Sequence, residues 1–243
     1  MRSGFFIKPY KVMSENGEKI VKKLPYNVKK RDVEVFRKLH EGYIKLLLEA
    51  GVMIPETTLD FKESEKGFTP VITQPAFRED ELLDNIIYNA SKKSVLNAYR
   101  KMLEANFKVI NFNKKNLVKV GFDGTPRNLA WKGNKIYYFD TFPFFIKKEG
   151  ETPRELIKGQ VRKGLRFFSI FGFNKVSEQF FKPEKMIRAV FASSVKRRPE
   201  FKEDFKKITR EVVEKHVEPS EVEKFLNFKR SLISRVVSKV RHS

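Results

Sequence analysis

Two aspartates and one asparagine between residues 120 and 145 have the types and the spacing that phosphoryl transfer needs. Asp123 and Asn128 lie five residues apart, and Asp140 follows twelve residues later. Transfer of a phosphate requires a carboxylate that accepts the proton of the attacking hydroxyl. It also requires oxygen ligands for Mg²⁺, which carboxylates and side-chain amides provide. The three side chains together therefore predict a magnesium-dependent phosphoryl-transfer site.

A β-hairpin is expected to position these three residues. Residues 129–131 and 135–139 are strand-forming runs, and Gly133 and Asn134 between them are a typical hairpin turn signal. Asp123 and Asn128 then lie on the loop that enters the hairpin, and Asp140 lies at its exit. The alternative is an ordinary surface hairpin in which Asp and Asn serve only the turns, as such residues commonly do.

Elements that precede the hairpin also follow clear patterns. Residues 31–50 carry apolar side chains at intervals of three and four, which predicts a helix, and Gly51 and Pro55 end it. The other predicted elements are a hairpin over 4–25, strands over 57–61 and 69–74, a helical region over 79–105 and a short strand over 107–112. The hairpin at 129–139 is thus preceded by a strand-rich part and a helical part.

Composition narrows the function classes. The chain has 243 residues, no Cys and three His, which argues against a disulfide framework, a zinc enzyme and a Cys or Ser-His hydrolase. It has neither a signal peptide nor an apolar run long enough to cross a membrane, so we expect a soluble cytoplasmic protein. The combination of many Lys and Glu residues with no Cys is typical of heat-adapted proteins.

Net charge is the strongest global feature. The chain has 51 Lys and Arg against 30 Asp and Glu, a net charge of +21, and a pI near 10.0. Such an excess favours a polyanionic partner, with nucleic acid first and an anionic membrane surface second.

Two basic clusters are candidates for contact with RNA, and a solvated helix face is the alternative interpretation. One is a stripe on a helix predicted to begin at Thr152, and the other is a predicted loop before Pro199. The stripe contains Lys158, Arg162, Lys163 and Arg166, and the loop contains Lys196, Arg197 and Arg198.

Segment 120–145 resembles the catalytic and metal-binding loops of the protein-kinase-like superfamily, which carry Asp, Asn and Asp in this order. The sequence HEGYIKLLLEAGVMIPE over residues 40–56 resembles the RIO-type atypical kinases. Gly121 and Phe122 replace the usual His-Arg or His-Gly, Thr141 and Phe142 replace Phe-Gly, and no glycine-rich loop precedes the second strand. The resemblance implies an α+β, two-lobed kinase-like fold: one domain over 1–243, with an N-lobe over 1–75 and a C-lobe over 76–243 that has a basic helical extension.

The resemblance also implies roles for the three polar residues. Asp123 is the expected catalytic base, and Asn128 and Asp140 are the expected ligands of Mg²⁺, with ATP as the phosphate donor. The expected acceptor is RNA, because the chain is small and highly basic and is similar to archaeal kinases that phosphorylate the 2′-hydroxyl of uridine 47 in tRNA.

A kinase-like site also needs a strand lysine and a helix glutamate. In the kinase pattern that the chain resembles, this lysine shares a strand face with a small apolar residue two positions before it, which contacts the adenine. Because side chains alternate along a strand, Val21 and Lys23 share one face, which would place Val21 at the adenine. We therefore prefer Lys23 as the ATP contact, with Lys22 as the alternative. Glu41 borders the apolar face of the predicted helix and is the expected partner of that lysine.

Gln74 and Ala76 lie where the link between the lobes is expected and are candidates for contact with adenine, although a simple connection of strand to helix is the alternative. Other functions stay open at this point. They are a RIO-type protein Ser/Thr kinase bound to ribosomal RNA, a sugar or lipopolysaccharide kinase, and an RNA-binding pseudokinase. The acceptor nucleotide and the oligomeric state do not follow from the sequence.

Overall fold

A computed structural model of the chain describes residues 10–15, 17–24, 27–142, 145–148 and 179–228. This part of the chain is a mixed α+β structure, as predicted. Its strands are β1 (Tyr10–Ser14), β2 (Gly17–Lys23), β3 (Thr58–Ser64), β4 (Gly67–Pro75), β5 (Val118–Val120), β6 (Leu129–Lys132), β7 (Lys135–Tyr138) and β8 (Ile146–Lys148). Its α-helices are α1 (Val33–Glu49), α2 (Leu83–Asn89), α3 (Lys92–Lys115), α4 (Pro183–Arg197), α5 (Lys202–Glu214) and α6 (Val222–Leu226).

The first four strands form one antiparallel sheet in the order β1-β2-β4-β3. The predicted first hairpin is confirmed over β1 and β2, and Gly17 has the positive φ of 100° that its turn requires. The predicted strands over 57–61 and 69–74 are confirmed as β3 and β4. In the register of this sheet, Lys22 on β2 lies opposite Ile72 on β4.

Helix α1 connects β2 to β3, and the helix predicted over residues 31–50 is confirmed. Its buried face includes Phe36, Tyr43 and Leu47. The Phe36 ring meets Phe61 of β3 edge-on at 5.9 Å and stacks on Phe142 at 6.4 Å. Because Phe142 follows Asp140 by two residues, α1 packs between the sheet and the end of the second hairpin.

The second hairpin is also confirmed, as β6 and β7 with a turn at Gly133. It is joined to the segment after α1, because the amide of Tyr138 donates a 2.8 Å hydrogen bond to the carbonyl of Met53. Strand β5 pairs with β8, and this pairing continues one step further, where the amide of Gly121 donates to the carbonyl of Phe145 at 2.6 Å. The loop that carries Asp123 therefore starts from a fixed backbone.

The helical part differs from the prediction in two places. The region 79–105 is divided into a 3₁₀ turn (Glu79–Glu81), α2 and α3, because the Ser91 hydroxyl caps a new helix by accepting from the Ser94 amide. The strand predicted over 107–112 is wrong, since these residues continue α3. Phe107, Val109 and Ile110 are almost fully buried within the helix. A short apolar run buried on several sides has no clear period, so it cannot be distinguished from a strand.

Helix α3 is the centre of the helical part and packs against α4 and α5. The Tyr99 and Thr209 hydroxyls form a buried 2.6 Å hydrogen bond, and the Tyr99 ring lies 4.5 Å from that of Phe205. Within the described residues, no helix has both the length and the apolar character that crossing a membrane requires. The helix predicted to begin at Thr152 lies outside the described residues.

Candidate active site

The loop between β5 and β6 holds Asp123 and Asn128 in one folded unit. A 3₁₀ turn (Pro126–Asn128) closes with the Asn128 amide donating to the carbonyl of Thr125 at 3.1 Å. The Asn128 side-chain Nδ2 donates to the backbone carbonyl of Asp123 at 3.0 Å. Because Nδ2 is used inside the loop, Asn128 would bind a cation through its side-chain oxygen Oδ1.

Two asparagine side chains of α3 form hydrogen bonds with the backbone of this loop. Asn113 donates to the carbonyl of Val120 and accepts from the Val120 amide, both at 2.8 Å. Asn106 precedes Asn113 by seven residues, or two helical turns, and donates to the carbonyl of Gly124 at 3.1 Å. A Cβ at Gly124 would collide with the Asn106 amide, so only glycine permits this close approach. The position of Asp123 is therefore set by the helix on both sides of it.

The hairpin brings Asp140 next to this loop. The amide of Phe139 donates to the carbonyl of Asn128 at 3.1 Å, and Leu129 pairs with Tyr138 in the strand register. Asn128 and Phe139 are thus neighbours at the open end of the hairpin, with Asp140 following directly. The three residues predicted for phosphoryl transfer are brought together.

A lysine from the four-stranded sheet reaches the same place, but it is Lys22. Its Nζ lies 3.6 Å from the Asp140 carboxylate and donates a 2.6 Å hydrogen bond to the carbonyl of Phe139. Lys22 is buried, whereas the preferred Lys23 is exposed. By the alternation of the strand, Ile20 shares the face of Lys22, and Val21 shares the face of Lys23. Of the two candidate lysines, Lys22 is therefore the one that reaches Asp140, and Ile20 rather than Val21 lies on its face of β2.

Glu41 does not lie beside this lysine. It is exposed and lines a groove of about 620 Å³ between α1 and β3. Two residues correspond to about 200° around a helix, so Glu41 points away from the buried Tyr43. The sequence placed Glu41 at the edge of the buried stripe because of Ile44 and Leu48, but Leu48 is itself half exposed.

Tyr43 is the residue of α1 that contacts the site. Its hydroxyl donates a buried 2.9 Å hydrogen bond to the carbonyl of Gly121. Burial, with further contributions from the nearby carboxylates Asp140 and Asp123, raises the pKa of Tyr43, so its hydroxyl stays protonated and remains a donor. Helix α1 thus supports the Asp123 loop directly and does not orient the lysine.

The two residues proposed for adenine contact are engaged within the protein. The buried Gln74 side chain donates to the Thr57 hydroxyl at 3.0 Å. The amide of Ala76 donates to the carbonyl of Glu18 at 2.9 Å and so extends the sheet. Neither the Gln74 side-chain amide nor the Ala76 backbone amide is therefore free to donate to a base in this conformation.

Charge in the site is balanced by two pairs. Burial lowers the pKa of Lys22 and raises that of Asp140, and the attraction between the two groups opposes both shifts. The Asp140 side chain is 38% exposed and lies 3.6 Å from the Lys22 ammonium, and both solvent and the opposite charge favour its ionised form. The second pair joins Asp123 Oδ2 to the Arg127 guanidinium at 2.7 Å.

The donors in the site suit Mg²⁺, which favours carboxylate and amide oxygens and keeps several waters or phosphate oxygens of its own. Asn128 Oδ1 and the partly exposed Asp140 carboxylate are the groups that would hold it. Among the residues that the structure describes, no group of three or more His, Cys, Asp or Glu side chains is arranged to hold a metal. A Mg²⁺ ion here would therefore depend on ligands from a bound phosphate.

Of the three basic residues predicted in a loop, two form ion pairs or hydrogen bonds within the protein. Lys196 and Arg197 lie in the last turn of α4 and not in a loop. Arg197 forms an ion pair with Asp84 of α2, and Arg198 donates to carbonyls at the end of α2, including that of Ala90 at 3.2 Å. Of these three residues, Lys196 alone is exposed. The stripe of Lys158, Arg162, Lys163 and Arg166 lies outside the described residues.

Residues 2–235 match a family described as "Family of unknown function (DUF6206)". The chain belongs to the DUF6206 family. A comparison with curated proteins gives no match. In this DUF6206 member, the candidate site combines the Asp123 loop, the exit of the second hairpin and Lys22.

Sequence reasoning missed four residues of the site: Tyr43, Asn106, Asn113 and Arg127. Asn106 and Asn113 are seven residues apart, which is two helical turns, and they interrupt an otherwise apolar face. That spacing was a usable signal, but the helix was predicted to end at residue 105. Apart from its position immediately before Asn128, nothing in the sequence indicated that Arg127 belongs to the site.

Proposed function

We propose that this chain is an ATP-dependent phosphotransferase that transfers the γ-phosphate of ATP to a hydroxyl of RNA. The observation that carries the proposal is the meeting of Lys22 with Asp140. A buried lysine from the four-stranded sheet reaches an aspartate that is adjacent to Asn128, and the same loop carries Asp123. Phosphoryl transfer is catalysed mainly by positioning and by electrostatic stabilisation, and these are the groups it requires.

Each side chain has one role in this proposal. Lys22 binds the α- and β-phosphates of ATP, and Asp123 accepts the proton of the attacking hydroxyl. Asn128 and Asp140 would hold Mg²⁺, which supplies positive charge to the phosphate oxygens when it is bound. The acceptor oxygen forms a bond to the γ-phosphorus, the bond from that phosphorus to the β,γ-bridging oxygen breaks, and ADP leaves.

A two-lobed, protein-kinase-like arrangement belongs to the same proposal. It is supported by the order of elements: an antiparallel sheet over residues 10–75 with α1 inserted between its second and third strands, then helices α2 and α3, then the hairpin with Asp140 at its exit. The proposed lobes keep the limits 1–75 and 76–243. The nucleotide would lie between β2 and the hairpin, where Lys22 meets Asp140.

RNA is proposed as the acceptor because of the net charge of +21. Phosphate contacts from Lys and Arg supply most of the affinity of such proteins for nucleic acid. An internal ribose 2′-hydroxyl, with uridine 47 of tRNA as the specific proposal, rests on the resemblance to archaeal tRNA kinases given above. A cytoplasmic location is proposed with it.

A second candidate is an RNA-binding pseudokinase, and the position of Glu41 favours it. In protein kinases, activity depends on an ion pair between the strand lysine and a helix glutamate. Here Glu41 is exposed and Lys22 pairs with Asp140 instead. The two candidates differ in one property, which is transfer of phosphate.

The test is incubation with γ-labelled ATP, Mg²⁺ and bulk tRNA, beside a generic protein substrate. Label on tRNA supports the RNA kinase. Label on protein alone contradicts RNA as the acceptor and favours a RIO-type protein kinase. Binding of tRNA without any transfer of label favours the pseudokinase.

A further inference from the structure

Arg127 occupies the carboxylate that the proposed reaction needs. Its guanidinium donates a 2.7 Å hydrogen bond to Asp123 Oδ2. The two side chains differ in exposure: that of Asp123 is 9% exposed and that of Arg127 is 50% exposed. The carboxylate is therefore enclosed by the protein, whereas the cation that covers it faces solvent.

This pairing occupies Asp123 Oδ2. While the guanidinium donates to this oxygen, an acceptor hydroxyl cannot approach the same oxygen to hand over its proton. The charge of Asp140 also acts on this guanidinium, more weakly than that of Asp123. Because the Arg127 side chain is half-exposed, an anion from solvent can reach it.

Phosphate is the anion that suits this side chain. The planar guanidinium binds phosphate with two parallel hydrogen bonds, and its half-exposed position gives a phosphate access. In RNA, the carbon next to each 2′-hydroxyl carries the 3′-phosphodiester. An acceptor hydroxyl that approaches Asp123 therefore brings a phosphate to the position of Arg127.

We propose that Arg127 couples acceptor recognition to the catalytic base: it binds Asp123 until the phosphodiester beside the acceptor hydroxyl draws the guanidinium away. This inference rests on the proposed function. It makes a hydroxyl with a neighbouring phosphodiester the preferred acceptor over water, a free sugar or a serine. Arg127 is then a residue that determines acceptor specificity.

Two reactions compete at the site. In transfer, the hydroxyl proton passes to Asp123 as the acceptor oxygen bonds to the γ-phosphorus and ADP leaves. In hydrolysis, water takes the place of the hydroxyl, and the products are ADP and inorganic phosphate. Without RNA, the ion pair of Arg127 with Asp123 suppresses hydrolysis, because the base is occupied.

The experiment compares hydrolysis and transfer in the same preparations. The full chain, with γ-labelled ATP and Mg²⁺, is assayed for inorganic phosphate without RNA and for label on bulk tRNA with RNA. The proteins are the wild type, Arg127→Ala, Arg127→Lys and Lys132→Ala. Lys132 is an exposed cation at the hairpin turn, so its substitution removes the same charge nearby without touching Asp123.

We expect Arg127→Ala to raise hydrolysis without RNA about 10-fold, because the base is uncovered. The ratio of tRNA labelling to hydrolysis should fall about 10-fold or more relative to the wild type. Arg127→Lys keeps the charge without the planar fork, so it should give an intermediate ratio. It also provides a readout if the alanine variant does not fold, and Lys132→Ala should match the wild type.

An unchanged ratio in both Arg127 variants, with tRNA still labelled, would overturn this inference and leave the proposed function standing. An equal loss of both reactions would overturn it too, since Arg127 would then serve transfer and hydrolysis alike. Absence of label on tRNA with the wild type would reject the proposed function and this inference together.

Discussion

Lys22 Nζ lies 3.6 Å from the carboxylate of Asp140 and donates a 2.6 Å hydrogen bond to the carbonyl of Phe139. The hydrogen bond joins residues 117 positions apart in the chain. The two contacts connect the four-stranded sheet to the exit of the hairpin. A buried amine is stable there only because the carbonyl and the carboxylate replace its water.

Lys22→Met should abolish most of the phosphate transfer, and Lys23→Met should not. Removal of the cation that lies 3.6 Å from the Asp140 carboxylate is expected to lower kcat/KM by about 100-fold or more. Lys23 is exposed on the other face of β2, so its loss should change kcat/KM by less than about 2-fold. Steady-state assays with labelled ATP measure both variants. A larger loss with Lys23→Met would restore Lys23 as the nucleotide contact.

Glu41→Gln should leave transfer nearly unchanged, because the side chain lies in the groove between α1 and β3 and not beside Lys22. Tyr43→Phe is the matched variant on the same helix. It removes the donor to the buried carbonyl of Gly121 and should cost about 1–3 kcal/mol of unfolding free energy. Activity and denaturant unfolding of both variants would check this. A severe loss of activity in Glu41→Gln alone would contradict the structural assignment.

The local sequence pattern was sufficient to predict that Asp123, Asn128 and Asp140 lie together, because a hairpin turn and its flanking strands fix their relative positions over a few residues. It was not sufficient for the lysine. Strand alternation separates Lys22 from Lys23, but it cannot say which face turns inward. Val21 and Lys22 are both buried, one on each face, so the ordinary signal of a polar outer face was missing.

Helix α1 shows the same limit. Its period was correctly predicted, yet the direction of Glu41 depends on where the buried stripe is centred. Phe36, Tyr43 and Leu47 place that centre on the side opposite Glu41. The support from Asn113 was missed for a related reason, since α3 extends beyond the predicted end at residue 105.

Asn113→Ala should destabilise the protein far more than Asn116→Ala. Asn113 satisfies both the amide and the carbonyl of buried Val120, so its loss should cost about 3 kcal/mol of unfolding free energy. Asn116 donates a single bond at the exposed end of α3, and its loss should cost about 0.5 kcal/mol or less. Urea unfolding measures both. Similar costs for the two variants would contradict the role of Asn113 as a support of the Asp123 loop.

Stability should fall on acidification partly because of His40, which is 2% exposed. Burial lowers the pKa of His40 from 6.5 to about 4, so the folded state keeps the neutral ring while the unfolded state binds a proton below pH 6.5. The contribution of neutral His40 to the free energy of unfolding is complete above pH 6.5 and is lost as the pH falls to about 4. It amounts to roughly 3 kcal/mol.

The control for this pH dependence is His40→Gln, which does not titrate in this range. The difference in unfolding free energy between wild type and variant, measured by urea titration from pH 7 to pH 4, should shrink with falling pH. Parallel curves for the two proteins would show that His40 does not bind its proton as described.

The proposed reaction of this chain is transfer of phosphate to RNA through Asp123, Asn128, Asp140 and Lys22. The most direct measurement is mass spectrometry of nucleotides from tRNA that has been incubated with ATP, Mg²⁺ and either the wild type or Asp140→Ala. We predict one nucleotide heavier by one phosphate with the wild type, and none with Asp140→Ala, although the variant should bind tRNA as well as the wild type does. Unmodified tRNA with the wild type, or equal modification by Asp140→Ala, would contradict the account.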